Sequence, residues 1–255
     1  ILQLAVMGKL VPQDPNDEPA SELLKKIATE KAKLIKEKKI KKQKMLPKIT
    51  DQETSDKLPP TWEWERLQHF SIIGTGATPS RDQLDYYNPP EFNWVTSGET
   101  SKEYIYETKE QVSKKAIEET NVSIYPVGTL MVAMYGQGKT RGQITELAVD
   151  AGSNQACAAI QLVQSSKEHR EYIKLFFKKA YEELRSFAAG GAQPNLNVGK
   201  ISNTVVPIPP LAEQHRIVAK VDELMSLCDA LKAKLKAAQS IQLKLADTLV
   251  EQAIG

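Results

Sequence analysis

The sequence has few cysteines and no long run of apolar residues. Its two cysteines, Cys157 and Cys228, lie far apart in apolar surroundings, without CxxC spacing, so we expect buried free thiols in the reducing cytoplasm. The longest apolar runs are too short to span a bilayer, and the first residues lack the basic stretch and the small-residue cleavage site of a signal peptide. These absences argue against a disulfide-linked protein and against a membrane partner.

Neither positive nor negative charge predominates over the chain as a whole. The formal net charge is +2, with 26% charged and 41% hydrophobic residues among 255, which are ordinary proportions for a soluble protein of one or two domains. The exception is the run from Lys25 to Lys44, where ten lysines stand against two glutamates. Two interpretations stay open for it: a solvated helix face, or a surface for phosphate or an acidic partner.

Helical periodicity marks both ends of the chain. Residues 1–11 read as the end of a helix that stops at Gly8, and a second helix, capped by Ser21, continues to about Gln43. Residues 46–60 are polar and bounded by prolines, which predicts a linker. From Ile217 onwards apolar residues recur at heptad spacing. Because so narrow a stripe needs a helical partner, we expect the two long helices to form an antiparallel coiled coil.

Alternating apolar runs between the helical ends predict a globular domain of mixed strands and helices. We expect an α+β protein with a helical region and linker at 1–57, one globular α/β domain at 58–210 and a coiled-coil helix at 211–255. Prolines 207, 209 and 210 should end the last strand, because proline cannot donate to a ladder. The expected strands are 92–95, 122–125, 129–134, 143–149, 156–163 and 201–206, and the expected helices are 112–120 and 168–187.

Two stretches come close to enzyme motifs. Residues 133–140, AMYGQGKT, approach a P-loop, but a strand rather than a helix is predicted to follow. Residues 70–76 with Asn88-Pro89-Pro90 are similar to the cofactor loop and catalytic motif of amino-methyltransferases, although Glu91 stands where an aromatic residue is needed. The three histidines lack metal-ligand spacing, and no catalytic arrangement stands out. We therefore expect no catalytic site, cofactor or metal.

A series of segments, taken in order, resembles the specificity subunit of type I restriction–modification enzymes. The segments include LPPTWEWERL at 58–67, YPVGTLMVAMYGQGKTRGQI at 125–144, GGAQPNLN at 190–197 and VPIPPLAEQHRIVAKVDEL at 206–224. The resemblance covers nearly the whole chain. Such subunits usually have two target-recognition domains and this chain has one, so we expect either a first half before Ile1 or half-subunits that pair with each other.

The resemblance implies a non-catalytic module that reads one half of a split site in double-stranded DNA. It also implies that methylation subunits pack on the conserved helices, that restriction subunits join for cleavage, and that the helices set the spacing between the two half-sites. A protein-binding scaffold is the alternative from another class, and a fragment of a methyltransferase that uses S-adenosylmethionine is the third.

Candidate DNA contacts are polar residues on loops, because Arg, Lys, Gln and Asn make paired hydrogen bonds with base edges. For each candidate the alternative is a structural role in satisfying loop backbone, and some would contact phosphates rather than bases. The leading candidates are Gln137, Lys139, Thr140 and Arg141, followed by Thr78, Ser80, Arg81, Ser97, Glu99, Gln193 and Asn195.

Overall fold

The computed structural model describes residues 1–54, 57–136, 139–189 and 196–254. Within these ranges the helices are α1 (Leu2–Val6), α2 (Ala20–Lys36), α3 (Leu67–Phe70), α4 (Lys114–Glu119), α5 (Lys167–Ala189), α6 (Val198–Asn203) and α7 (Leu211–Ile254). The strands are β1 (Glu63–Arg66), β2 (Ser71–Thr75), β3 (Phe92–Val95), β4 (Tyr104–Ile105), β5 (Glu110–Val112), β6 (Leu130–Ala133), β7 (Ile144–Leu147), β8 (Ala151–Ser153), β9 (Cys157–Leu162) and β10 (Val205–Ile208).

The strands form a five-stranded sheet, a three-stranded sheet and a two-stranded sheet. The five-stranded sheet has the order β2-β9-β6-β7-β4, the three-stranded sheet β5-β3-β8, and β1 pairs with β10. In the largest sheet Thr75 lies opposite Ala158, and Ala133 lies opposite Cys157. The end of β2, the end of β6 and the start of β9 therefore meet at one edge, and the loops that follow or precede these strands emerge on the same side.

Both faces of the five-stranded sheet are buried. Leu130 and Val132 join a core cluster with Phe177 and other residues of α5, whereas Met131 joins a second cluster with Val95 and Ala151 of the three-stranded sheet. Because side chains alternate along a strand, the continuous apolar run of β6 packs on two layers at once. Burial of each such side chain contributes about 1.5–3 kcal/mol.

The helical ends of the chain share the core of the globular domain. Val6 of α1, Leu23 and Ile27 of α2, and Ile217 and Val221 of α7 are all buried in the cluster that contains the sheet and α5. The predicted boundary between residues 57 and 58 therefore does not coincide with a break in packing.

The N-terminal helix prediction needs two corrections. Helix α2 begins at Ala20 after Pro19, without a side-chain cap, so Ser21 is not the N-cap. The helix ends at Lys36 rather than near Gln43, because Lys38 takes a left-handed conformation (φ 57°). The N–H groups of Lys38 and Lys39 then donate to the last carbonyls of the helix, and this turn brings the following residues back alongside α2.

Part of the predicted linker is anchored to the domain by a buried arginine. Arg66 is 2% exposed, and it donates to the carbonyl oxygens of Pro47 (2.8 Å) and Lys48 (3.2 Å). Its guanidinium also binds both carboxylate oxygens of Glu53 (2.9 and 3.0 Å). This pairing lowers the pKa of Glu53 to about 2. Residues 47–53 are therefore a fixed part of the surface rather than a free tether.

The last predicted strand is displaced along the chain. Ile201 is buried in α6, whose N-cap Asn197 accepts a hydrogen bond from the N–H of Lys200 (2.8 Å). The strand β10 follows at Val205–Ile208 and contains Pro207, which pairs opposite Trp64. A proline is tolerated there because a strand of a two-stranded sheet has one edge without a ladder. The strand predicted at 122–125 is reduced to a single bridge from Tyr125 to Ala151.

The predicted antiparallel pairing of the two long helices within this chain is wrong. The first turns of α7 pack on α5 and α1, whereas α2 packs on α3. Beyond Cys228 the large apolar residues of α7 up to Val250 are exposed. We call this the exposed stripe of α7, formed by Leu231, Leu235, Ile241, Leu245 and Leu249. Among the described residues, no helix combines the length and apolar character needed to cross a membrane.

Candidate nucleic-acid interface

Loops from four places in the sequence meet at one end of the five-stranded sheet. We call this end the loop face and define it as residues 76–83, 96–103, 134–136, 139–143 and 154–156. The loops are tied together directly: the hydroxyl of Thr78 donates to Oε1 of Gln155 (2.5 Å), and the N–H of Met134 donates to the carbonyl of Ala156 (2.7 Å). The N–H of Asn154 donates to the carbonyl of Val95 (3.0 Å). Most of the predicted contact residues therefore lie on one surface.

Arg81 is a firmly oriented cation of the loop face. Its guanidinium carbon lies 4.6 Å from the ring centroid of Tyr87 and 5.3 Å from that of Trp94, and the guanidinium forms an ion pair with Glu110. Its side chain is nevertheless 55% exposed. The aromatic rings and the carboxylate fix its direction, and hydrogen-bond donors remain for a ligand. Ser80 beside it is exposed.

Glu99 has a structural role instead of the predicted contact role. It is 2% exposed, and one carboxylate oxygen accepts from the N–H (2.9 Å) and the hydroxyl (3.1 Å) of Thr96. The other oxygen accepts from the N–H of Lys109 (3.0 Å). The bond from the Thr96 N–H is one half of a capping box at the 3-10 turn Ser97–Glu99, whose other half is the bond from the Glu99 N–H to the Thr96 side chain. Ser97 is partly exposed, and its carbonyl accepts from the hydroxyl of Thr100 (2.7 Å).

The loop between β6 and β7 carries three predicted contacts among the described residues. Lys139 is exposed, and its carbonyl accepts a hydrogen bond from the hydroxyl of Tyr181 in α5. Thr140 and Arg141 are partly buried. Gly142, with φ 87°, donates its N–H to the carbonyl of Ala133 (2.8 Å). This left-handed turn favours glycine, and it returns the chain to β7.

Three other predicted contacts, Gln137, Gln193 and Asn195, lie outside the described residues. One residue of the loop face was missed by the sequence reasoning. Gln155 is exposed in the turn between β8 and β9, and among the described residues no acceptor binds its amide N–H groups while its oxygen is held by Thr78. The available signal was a polar Asn-Gln pair between two apolar strands.

A buried ionic network holds α5 against the sheet beneath the loop face. Lys174 is fully buried, and its ammonium lies 2.9 Å from Glu103, 3.3 Å from Glu146 and 3.3 Å from Glu171. Burial alone would lower the pKa of Lys174, but the hydrogen bond with Glu103 and the charge of Glu171 outweigh burial and raise it. Because Glu103 ends the loop at 96–103, the network also fixes that loop.

The near-enzyme motifs have structural roles. The chain passes from Thr140 through a turn into the strand β7, so the helix that a P-loop requires after its Lys-Thr pair does not follow. In the segment similar to a methyltransferase loop, a Cβ on Gly76 would overlap the carbonyl oxygen of Ser153, and one on Gly74 would lie 2.7 Å from the hydroxyl of Tyr125. Both glycines therefore permit close packing between layers.

The lysine-rich helix α2 lies at the opposite end of the sheet from the loop face. The ammonium of Lys31 donates to the carbonyls of Gln68 and Ser71, the latter at 2.8 Å. Ser71 begins β2 and Thr75 ends it, a separation of ~13 Å at 3.3 Å per residue. The basic run and the loop face are therefore separate surfaces.

The fold and the loop face together define a class of protein: an α+β recognition module that presents polar loops at one end and a long, partly unpartnered helix at the other side. The family model described as the type I restriction modification DNA specificity domain matches residues 59–238. The chain therefore belongs to this family, and the resemblance and the α+β fold predicted from the sequence are confirmed.

The relatives are specificity subunits. The chain is 35% identical over 276 aligned residues to the specificity subunit of type I restriction enzyme EcoAI and 33% identical over 267 to that of EcoEI, both from Escherichia coli. All of this chain aligns in each case, but it spans only 44% of the relative's length.

Solved structures have the same fold at lower identity. The HsdS subunit from Thermoanaerobacter tengcongensis matches with a TM-score of 0.53 and 18% identity, over 83% of this chain and 49% of that one. A chain from a study of complex assembly and conformational transition in the type I R-M system matches with a TM-score of 0.54 and 17% identity, over 84% and 50%.

Proposed function

We propose that this chain reads one half of a split site in double-stranded DNA, as the recognition component of a type I restriction–modification complex. The observation that carries the proposal is the loop face, where exposed hydrogen-bond donors from four loops converge on one surface. It is supported by membership of the DNA specificity domain family.

The side chains of the loop face suit two kinds of DNA contact. Arg81, held between aromatic rings and Glu110, offers paired donors that match the O6 and N7 atoms of guanine, and the amide of Gln155 matches adenine. Lys139 suits phosphate oxygens, which position a protein without specifying sequence. Thr78 has a supporting role, because its single hydroxyl hydrogen is donated to Gln155 and orients that amide. Thr140 and Arg141 are partly buried, and we assign them either to support of the loop or to contact with DNA at the edge of the loop face. The chain itself supplies recognition and not catalysis.

The helices are the proposed assembly surface. The exposed stripe of α7 supports a helical partner, because five large apolar side chains would otherwise face water. We propose that it pairs with the helix of another half, either in a longer chain or in a second copy, and that this pairing sets the distance between half-sites. Methylation subunits, and restriction subunits in the complete complex, are the other proposed partners. A cytoplasmic location stays a prediction from the cysteines.

Substitution of Arg81 tests the proposal. The chain, assembled with its methylation subunits, is titrated with a fluorescent duplex that contains its site and with a scrambled duplex. Both Arg81→Ala and Arg81→Lys should weaken specific binding by about 1–3 kcal/mol, because lysine keeps the charge but cannot form the paired hydrogen bonds. Arg141→Ala should also weaken binding to the specific site, by roughly 1–3 kcal/mol.

Lys25→Ala on α2, far from the loop face, is the matched control and should bind like the wild type. Wild-type affinity for the specific duplex in both Arg81 variants would refute the assignment of Arg81 to base reading. A protein-binding scaffold is the second candidate function, favoured by the exposed stripe of α7. It predicts that the assembled wild-type complex does not distinguish the two duplexes.

A further inference from the structure

A groove of about 640 Å³ lies between α2 and the segment that returns alongside it. We call it the α2 groove. It is at the end of the domain opposite the loop face, and residues 41–50, which form its outer wall, have no regular secondary structure. Its apolar lining includes Ala28, Ala32 and Ile35 from α2 and Leu46 and Ile49 from the outer wall.

The outer wall is held in place by three side chains from the domain. The amide of Gln68 donates to the carbonyl of Lys44 (2.6 Å), and the ammonium of Lys31 donates to Oε1 of Gln43 (2.9 Å). Arg66 holds the wall at Pro47 and Lys48, as described above. These hydrogen bonds fix the conformation of the outer wall, although it has no regular secondary structure. The shape of the groove therefore does not depend on a ligand.

The rim of the α2 groove is cationic. Lys42, Lys44 and Lys48 line it, and within the described residues none of them forms an ion pair. Glu65 is the acidic residue of the lining, and one of its carboxylate oxygens is hydrogen-bonded to the His69 ring (2.6 Å) and to the N–H of Arg66 (2.8 Å). The remaining lysine of the lining, Lys31, points its ammonium at the backbone carbonyls of Gln68 and Ser71, away from a ligand, and burial lowers its pKa to about 8. Three lysine charges are thus available to a ligand, against the single negative charge of Glu65 in the lining.

Met45 adds an apolar side chain at the same place. It is 86% exposed, although the carbonyls of Lys44 before it and Pro47 after it accept hydrogen bonds from Gln68 and Arg66. An unbranched, deformable methionine over an apolar groove is typical of surfaces that bind amphipathic helices. A groove with an apolar floor, this methionine and a cationic rim is complementary to a helix with one apolar and one acidic face.

We propose that the α2 groove docks an acidic amphipathic segment of a partner protein within the assembled complex. This inference rests on the proposed function, because that function makes a methylation subunit the expected partner. DNA is a poorer occupant, because phosphates would leave the apolar floor and Met45 unused. A second copy of this chain is also a poorer one, because its exposed helix α7 carries as many basic as acidic residues and so lacks an acidic face.

The first experiment places the photocrosslinker benzoylphenylalanine at position 45 of the chain, in complex with the methylation subunits and DNA. A crosslink to an acidic, amphipathic peptide of a methylation subunit is expected. The same crosslinker at Val127, an exposed apolar residue of a turn outside the groove, is the control and should not label that peptide. Crosslinks from position 45 only to DNA, only to a second copy of this chain, or to nothing would overturn the proposal.

The second experiment reverses the rim charges with the triple variant Lys42→Glu, Lys44→Glu and Lys48→Glu. Its affinity for the methylation subunits, measured by calorimetry, should fall about tenfold or more at low salt, with a smaller loss at high salt. The control reverses three lysines of α2 that do not line the groove, at positions 25, 26 and 33, and its affinity should stay within about twofold of the wild type. Equal affinity of the rim variant and the control would contradict the proposal.

The two proposals fail in different ways. If the wild-type complex assembles but does not prefer the specific duplex, the proposed function fails while the crosslink at position 45 remains interpretable. If the complex prefers the specific duplex but position 45 does not label a methylation subunit, the docking proposal fails alone. The substituted lysines are all exposed, so each variant is expected to fold. Thermal unfolding of each variant checks this.

Discussion

Replacement of Lys174 by methionine tests whether the buried ionic network stabilises the loop face. Methionine matches the length of the lysine stem but removes the charge that compensates Glu103, Glu146 and Glu171. Loss of one partner from a buried ion pair typically costs about 3–5 kcal/mol. The lower end is expected here, because Glu103 is half exposed and Arg170 still pairs with Glu146 at 2.9 Å. We therefore predict a loss of about 3 kcal/mol in the free energy of unfolding at pH 7.

Urea unfolding followed by circular dichroism measures this loss, and its pH dependence identifies the cause. Burial raises the pKa of Glu103, but the stronger influence of Lys178 and Lys174 lowers it overall. A lowered pKa stabilises the folded state above the ordinary glutamate pKa, and this stabilisation disappears as the pH falls through the folded value. The difference between Lys174→Met and wild type should therefore shrink between pH 7 and pH 4. Lys232→Met, which removes an exposed pair with Asp229, should be neutral. A loss below about 1 kcal/mol, or one that is the same at both pH values, would refute the reasoning.

Three further predictions concern other parts of the chain. Burial lowers the pKa of His169 to about 4, so the buried neutral histidine destabilises the fold as the pH drops below about 6.5. His169→Gln should therefore flatten the plot of stability against pH between pH 6.5 and 5. An unchanged slope in this variant would exclude His169 as the cause. Burial raises the pKa of Cys157 to about 12. Iodoacetamide at pH 8, followed by mass spectrometry, should therefore label only the partly exposed Cys228 in the folded chain. Labelling of both cysteines would contradict the buried position of Cys157. The double variant Leu231→Lys, Leu235→Lys should weaken pairing through the exposed stripe of α7, as measured by analytical ultracentrifugation, without lowering the melting temperature. If the double variant failed to fold, the stripe would instead pack within the chain.

The strands and helices with strong local patterns could be predicted from the sequence. The apolar run that forms β6 and the amphipathic pattern of α5 were placed within a few residues. The end of α2 was missed because its lysines have good helix propensity, whereas the break depends on Lys38 adopting a left-handed turn that local backbone hydrogen bonds close. The position of β10 was missed because β-branched residues at 201–206 predict a strand, while Asn197 caps a short helix over the first of them.

The candidate site could be predicted only in part. Polar loops between strands indicated the correct regions, and the sheet register brings most of them together. The sequence could not distinguish Glu99, which turns inward to accept three hydrogen bonds, from Arg81, which stays exposed on two aromatic rings. Both are charged loop residues, and the difference depends on partners distant in the chain, Lys109 for one and Trp94 for the other. Tertiary contacts of this kind leave no local signal.

The most direct test of the central claim is a map of the modified bases in DNA exposed to this chain together with its methylation subunits. We predict a split motif, and we predict that one half of it becomes degenerate when Arg81 and Arg141 are both replaced by alanine. Modification at a split motif that is unchanged in the double variant would contradict the assignment of the loop face. Absence of sequence-specific modification by a correctly assembled complex would contradict DNA recognition by this chain.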